Sequence, residues 1–154
     1  GLSLISIILL IQCGFTPIYS EKSNLIESDY ETILTSENSI VVKEAFNTIF
    51  RNSTTKSNYQ LKINILEQDL PIVTNSDGTI AKYRIDISTN FVLFDIVNNK
   101  EIFSDYSKGF AQYETQTNNY GTEQKRDEAK KIATSNSLQL IPIKIQNFQS
   151  RKSE

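Results

Sequence analysis

A wholly apolar run that ends on a cysteine sets the terms for everything after it. Residues 1–12, GLSLISIILLIQ, carry no charge and consist mostly of Leu and Ile. A helix needs about 20 apolar residues to cross a bilayer, so this run is too short to span one. With only Ser3 and Ser6 inside it, it lacks both the polar stripe of a terminal core helix and the alternation of a strand. It has the shape of the apolar core of a secretory signal, followed by a processing site. The run starts at Gly1 with no initiator Met and no basic n-region, as expected of a signal whose first residues are missing. Cys13, the single cysteine, stands at the boundary. Its place there points to lipid attachment, the thiol accepting a diacylglyceryl group; the bland alternative is a buried free thiol. Leu10 fits such a processing site, whereas Gln12 is bulkier and more polar than the small residue usual before the cysteine.

What remains is the size of one domain, enough for one hydrophobic core. Its 16 basic and 18 acidic side chains leave a net charge of −2, so no general attraction to nucleic acid is expected. With the cysteine used at the boundary, no disulfide can form within the chain, and the core must suffice. The chain has no histidine. That removes Ser–His–Asp and Cys–His catalysis and any His-containing zinc site. Dinucleotide, P-loop and EF-hand patterns are missing as well. Carboxylates alone remain, and Asp69, Asp77, Asp86, Asp95 and Asp105 are spaced in a way that pairs no two of them. A non-catalytic protein without metal or cofactor is the expectation.

Residues 13–28 form the anchor and a polar tether, residues 29–150 one folded domain, and residues 151–154 a tail. Tyr30–Leu34 suggests a first strand. Ser36 or Ser39 can cap a helix beginning near Ile40, where Val42, Ala45, Phe46, Ile49 and Phe50 recur at helical spacing. Tyr59, Leu61, Ile63 and Ile65 alternate with polar residues, which predicts a half-buried strand. A loop is expected over 68–79, around Pro71 and the Asp77-Gly78 turn pair. Ala81, Tyr83, Ile85 and Ile87 alternate again, and the strand continues through Phe91–Phe94, where both faces turn apolar. Asn98-Asn99 reads as a two-residue hairpin turn. The next strand, from about Glu101 to Glu114, carries Phe103, Tyr106, Phe110 and Tyr113.

A last helix is expected from near Glu123, with Ala129, Ile132, Ala133, Ser137, Leu138, Ile141, Ile145 and Phe148 on one side. Pro142 should kink or break it, or Ile141, Ile143 and Ile145 could form a short strand instead. Lys125, Arg126, Lys130 and Lys131, interleaved with Glu123, Asp127 and Glu128, read as a salt-laced solvent face. The sum is an α+β two-layer sandwich, an antiparallel sheet of about four strands with two helices on one face.

Cys13, Gly14, Phe15, Pro17 and Tyr19 resemble the mature start of the lipopolysaccharide-assembly lipoprotein family LptE in its alphaproteobacterial form, with Ile18 in place of Leu. The closing pattern is similar too: Lys125–Ala133 leads to Ile141-x-x-Lys144-Ile145-x-x-Phe148. The resemblance implies an outer-membrane lipoprotein held by acyl chains on Cys13 on the periplasmic side. Such a protein complexes with and plugs the LptD β-barrel, helps it assemble, and assists lipopolysaccharide transport to the outer leaflet. Gly14, rather than Asp, after the cysteine agrees with outer-membrane sorting.

Under that implication, lipopolysaccharide phosphates call for cations on one exposed face, and Lys62, Lys82 and Arg84 sit on the polar sides of two strands. The alternative for these cations is solvated, edge-blunting charge. Barrel contact is expected from Phe91, Val92 and Phe94 and from the turns Asp77-Gly78 and Asn98-Asn99. The competing reading makes Phe91 and Leu93 core residues and has Val92 and Phe94 merely cover a helix. A different function also fits: a periplasmic lipid- or solute-binding lipoprotein auxiliary to an ABC-type transporter, which would need a sizeable apolar cavity between helices and sheet.

Overall fold

A computed structural model describes residues 30–51 and 57–152. The elements run β1 (Tyr30–Leu34), α1 (Ile40–Ile49), β2 (Tyr59–Thr74), β3 (Ile80–Asp95), β4 (Lys100–Glu114) and α2 (Asn119–Lys152). The strands form one sheet in the order β1-β2-β3-β4. The fold is α+β, as the sequence predicts. The pairing of β1 is the departure: it runs parallel to β2, so the sheet is mixed, while β2–β3 and β3–β4 are antiparallel hairpins. The reason is topological. A strand reached through a helix returns in the same direction, whereas strands joined by tight turns reverse.

Alternation builds the core. Leu61, Ile63 and Ile65 of β2 and Ile85, Ile87, Phe91 and Leu93 of β3 point to one face and are at most 2% exposed. Val42 and Phe46 of α1 and Ala129, Ala133, Leu138, Ile141 and Ile145 of α2 close over them. From Gln60 to Leu70 of β2 and along β3, the even-numbered residues face the other way, onto a sheet surface that carries no described helix.

Two details of sequence let α2 lie close to the sheet. A Cβ on Gly109 would collide with the Ala133 carbonyl oxygen and come within 2.8 Å of the Ser137 nitrogen, so only glycine fits there. Beside it, the buried Ser107 hydroxyl donates to the Ser137 carbonyl at 2.8 Å, and the Ser137 hydroxyl donates to Thr89 Oγ1 at 2.9 Å. Small hydroxyl side chains thus fill the contact while meeting their own polar needs.

Four expectations need correction. β2 runs on to Thr74 through Pro71, with register shifts between Pro71 and Val73 and again before Thr74. Proline is tolerated because β1 ends far short of it, and an edge or bulged strand does not need every N–H. α2 starts at Asn119 rather than near Glu123, because the Asn118 side chain caps it by accepting the Gly121 N–H at 2.6 Å. It continues through Pro142, which excludes a strand over 141–145. Ile132, expected in the apolar stripe, is 54% exposed, and Thr134 is buried instead.

Candidate functional site: the open sheet face and the hairpin ends

Cys13 and the expected signal and tether lie outside the described residues. Of the expected contact residues, Phe91 is corrected: it is 1% exposed, in the middle of the core, with its ring edge against Phe103. Val92 and Phe94 are half-buried and occupy the helix-free face. There Phe94 lies under the Lys62 ammonium, 4.8 Å from the ring centre.

The two turns stand at opposite ends of the sheet. Asp77-Gly78 closes β2–β3, with Gly78 at φ 91°, where a side chain would be strained. The Asp77 carboxylate accepts from the hydroxyl and the backbone N–H of Thr79, and these bonds lower its pKa. Asn98-Asn99 is half of a four-residue loop, 96–99, rather than a two-residue turn. The reason is Asp95, whose carboxylate accepts from the Asn98 side chain at 2.7 Å and from its N–H at 3.2 Å, clasping a wider loop. Those two bonds, the side-chain one first, also hold the Asp95 pKa down. Asn99 takes the left-handed conformation, φ 53°.

Lys62, Lys82 and Arg84 all belong to the helix-free face, but register separates them. Lys62 pairs with Val92, eight residues beyond Arg84 on β3, which is about 27 Å along a strand. Lys82 and Arg84 are neighbours at the other end. Arg84 is engaged with Asp86 and lies 4.3 Å over the Phe110 ring. Its cationic charge is therefore partly met within the domain, and the expected three-residue patch resolves into a pair and a distant lysine.

The basic run of α2 also differs from its solvent-face reading. Lys130 turns inward, its side chain 12% exposed, to Glu67 at 3.2 Å. Arg126 reaches Asp69 at 3.0 Å, and Tyr113 donates its hydroxyl to the same carboxylate at 2.9 Å. Burial pushes the Tyr113 phenol up, and the adjacent Asp69 charge adds to it. For Arg126, burial acts against the charge, but Asp69 and Glu123 outweigh it and raise its pKa.

Each aspartate in strands and turns has its own local partner: Asp69 with Arg126, Asp86 with Arg84, Asp105 with Lys144, Asp77 with Thr79 and Asp95 with Asn98. Among the described residues, no group of three or more Cys, Asp or Glu side chains could hold a metal. No described helix is long and apolar enough to cross a membrane.

Sequence reasoning missed the outward aromatics. Tyr106 and Phe110 are 57% and 56% exposed on the open face, whereas Phe103 and Tyr113 face the helix layer. Parity along β4 was the available signal: 103 and 113 are odd, 106 and 110 even. It also missed Ile96 and Val97, 44% and 68% exposed at the β3–β4 tip.

No family model matches the chain, and no curated protein does. Solved structures do share its fold. A candidate lipoprotein from Caulobacter crescentus superimposes with a TM-score of 0.64 at 14% identity, over 86% of this chain and 98% of that one. Rare lipoprotein B from Shewanella oneidensis gives 0.64 at 10% identity, over 82% and 99%. A lipoprotein B from Nitrosomonas europaea gives 0.57 at 13% identity, over 79% and 84%. The described domain is thus similar in fold to nearly the whole of several bacterial lipoproteins.

Proposed function

We propose that the chain is an outer-membrane lipoprotein of the LptE type. Acylated at Cys13 and facing the periplasm, it seats its domain in the lumen of an LptD-like β-barrel. There it assists assembly of the barrel and passage of lipopolysaccharide to the outer leaflet. The observation that carries the reading is a conjunction: the Cys-Gly-Phe-x-Pro-x-Tyr segment at 13–19 precedes a domain whose fold is that of solved lipoproteins.

The physical form supports it. A plug must hold its shape without its partner, and this domain has a filled core under a sheet with one face that no described helix covers. Val92, Phe94, Tyr106 and Phe110 give that face apolar contact area. Lys82 and Arg84 give it cations suited to phosphate. The transporter-auxiliary reading would need an apolar cavity between the layers, where Leu61, Ile63, Phe91, Leu138 and Ile141 stand fully buried.

Affinity capture of the full-length lipoprotein from solubilised outer membrane tests the proposal. A large β-barrel co-purifying near one-to-one, resistant to mild detergent, is the expected result. Recovery of inner-membrane transporter subunits alone, or of no partner, would overturn it.

A further inference from the structure

The two hairpin turns differ in a way that the barrel reading does not use, although Ile72 and Val73, in β2 just before the first of them, are themselves 41% and 46% exposed. At the β2–β3 end the turn is Asn75-Ser76-Asp77-Gly78-Thr79, wholly polar and tied by its own hydrogen bonds. At the β3–β4 end the tip presents Ile96 and Val97, 44% and 68% exposed. These side chains are held out by a braced loop. The Ile96 N–H donates to the Asn58 carbonyl at 2.9 Å, the Asp95 carboxylate clasps Asn98, and Asn99 turns the chain at φ 53°.

This apolar tip is also where the lipid-bearing side of the chain enters the domain. Tyr30, the first residue of β1, pairs with Tyr59, and Tyr59 pairs with Asp95, the last residue before the tip. The covalent route from Cys13 therefore arrives at the same end of the sheet as Ile96 and Val97. Cations collect there. Lys62 lies over Phe94, Lys100 is exposed just after the loop, and Arg151 is exposed one turn beyond Phe148, which stacks on Phe103. Glu31, Asp95 and Glu101 stand among them, so the end is mixed in charge, with Asp95 and Lys100 bordering the aliphatic loop.

We infer that, before the domain is seated in a barrel, the β3–β4 hairpin tip is a second membrane contact: Ile96 and Val97 enter the interface of the leaflet that holds the acylated Cys13, with Lys62 and Lys100 reaching the lipid phosphates. The inference rests on the acylation proposed above. Aliphatic side chains at the tip gain by leaving water, and lysines beside them keep their ammonium groups at headgroup level. Two attachment points on one end fix how the domain stands on the membrane, which acyl chains alone leave open.

The chain has no tryptophan, so single-tryptophan variants report one position each. Val97→Trp reads the tip, and Tyr120→Trp, 75% exposed at the start of α2, reads the opposite end. Each full-length variant is reconstituted into phosphatidylethanolamine–phosphatidylglycerol vesicles, with and without lipids brominated near the glycerol end of the acyl chains. The expected result is a blue shift and loss of most of the V97W emission, with Y120W unchanged.

An acylated, vesicle-bound chain whose V97W stays at its aqueous wavelength and unquenched would overturn the tip contact and leave the anchor standing. Equal quenching at both positions overturns it too, as collapse onto the surface. The intact mass of the same sample reports acylation separately. An unacylated chain whose V97W still responds to vesicles keeps the tip and removes the anchor, and an unresponsive one removes both. Shielding of V97W that appears only when a partner barrel is added assigns the tip to protein contact and overturns the lipid proposal.

Discussion

Glu67 is the most heavily engaged carboxylate of the described chain, and it joins three elements at once. It accepts from Asn38 Nδ2 at 2.9 Å and from the Ser39 N–H and hydroxyl at 3.0 and 2.8 Å, and it pairs with Lys130 at 3.2 Å. Ser39 makes no side-chain cap of its own helix, so the carboxylate from β2 stands at the start of α1 in its place. Burial acts to raise its pKa, but the hydrogen bonds outweigh that and bring it down to about 2. The folded-state value lies below the ordinary 4.5, so the unfolded chain takes up the proton first as pH falls. The stabilisation is whole above pH 4.5 and is lost as the pH drops from there towards 2. Glu67→Gln should cost roughly 2 kcal/mol at neutral pH, the worth of hydrogen bonds to a charged group. It should also flatten the fall in stability between pH 5 and pH 3. Urea denaturation of both proteins across that range checks it; parallel curves would show that Glu67 is not the group responsible. Nothing in the sequence marked this residue, because its partners lie 28 and 29 positions upstream and 63 downstream and meet only through the fold.

At the scale of elements, the strongest periodicities were legible and the boundaries set by side-chain chemistry were not. The inward residues of β2 and β3 and the face of α1 follow from alternation and helical spacing alone. The end of β2 and the start of α2 depend on a bulged edge at Pro71 and a cap by Asn118, and both look like loop signals in one dimension. Pro142 shows tertiary packing overriding a local breaker. α2 has 34 residues, about 51 Å at 1.5 Å per residue, the length needed to cover a long hairpin from end to end. Past the proline, Ile141 and Ile145 remain fully buried, and Phe148 stacks on Phe103 with ring centres 4.4 Å apart. Those contacts hold the helix on the sheet although Pro142 cannot donate to the Leu138 carbonyl. Replacing it should therefore release a cost already carried. Pro142→Ala is expected to raise stability by about 1–3 kcal/mol, since the missing bond forms and the residue is a good helix former. Thermal unfolding measures it. A lower midpoint would mean that the half-buried ring contributes more by packing than it costs the helix.

For the molecule as a whole, the layers were readable and the sites were not, because a site depends on register. The sequence says that Lys62, Lys82 and Arg84 lie on the polar sides of their strands. It does not say that Lys62 stands opposite Val92 and Arg84 opposite Leu70. One face of a long hairpin is wide enough to hold two independent regions, and these cations fall into different ones. Binding of lipopolysaccharide through Lys82 and Arg84 should accordingly be indifferent to what happens at Lys62. In a double-mutant cycle on affinity for lipopolysaccharide-bearing vesicles, Lys62→Ala and Arg84→Ala are expected to add within about 0.5 kcal/mol, as for sites that share no partner. Arg84→Ala should have only a modest effect, because Asp86 and the Phe110 ring already engage the guanidinium. A coupling well above that limit would mean that one ligand bridges both ends of the face, so that the phosphate-binding surface runs the length of β3. The three cations would then act together after all, through a ligand long enough to span about 27 Å rather than through a local patch.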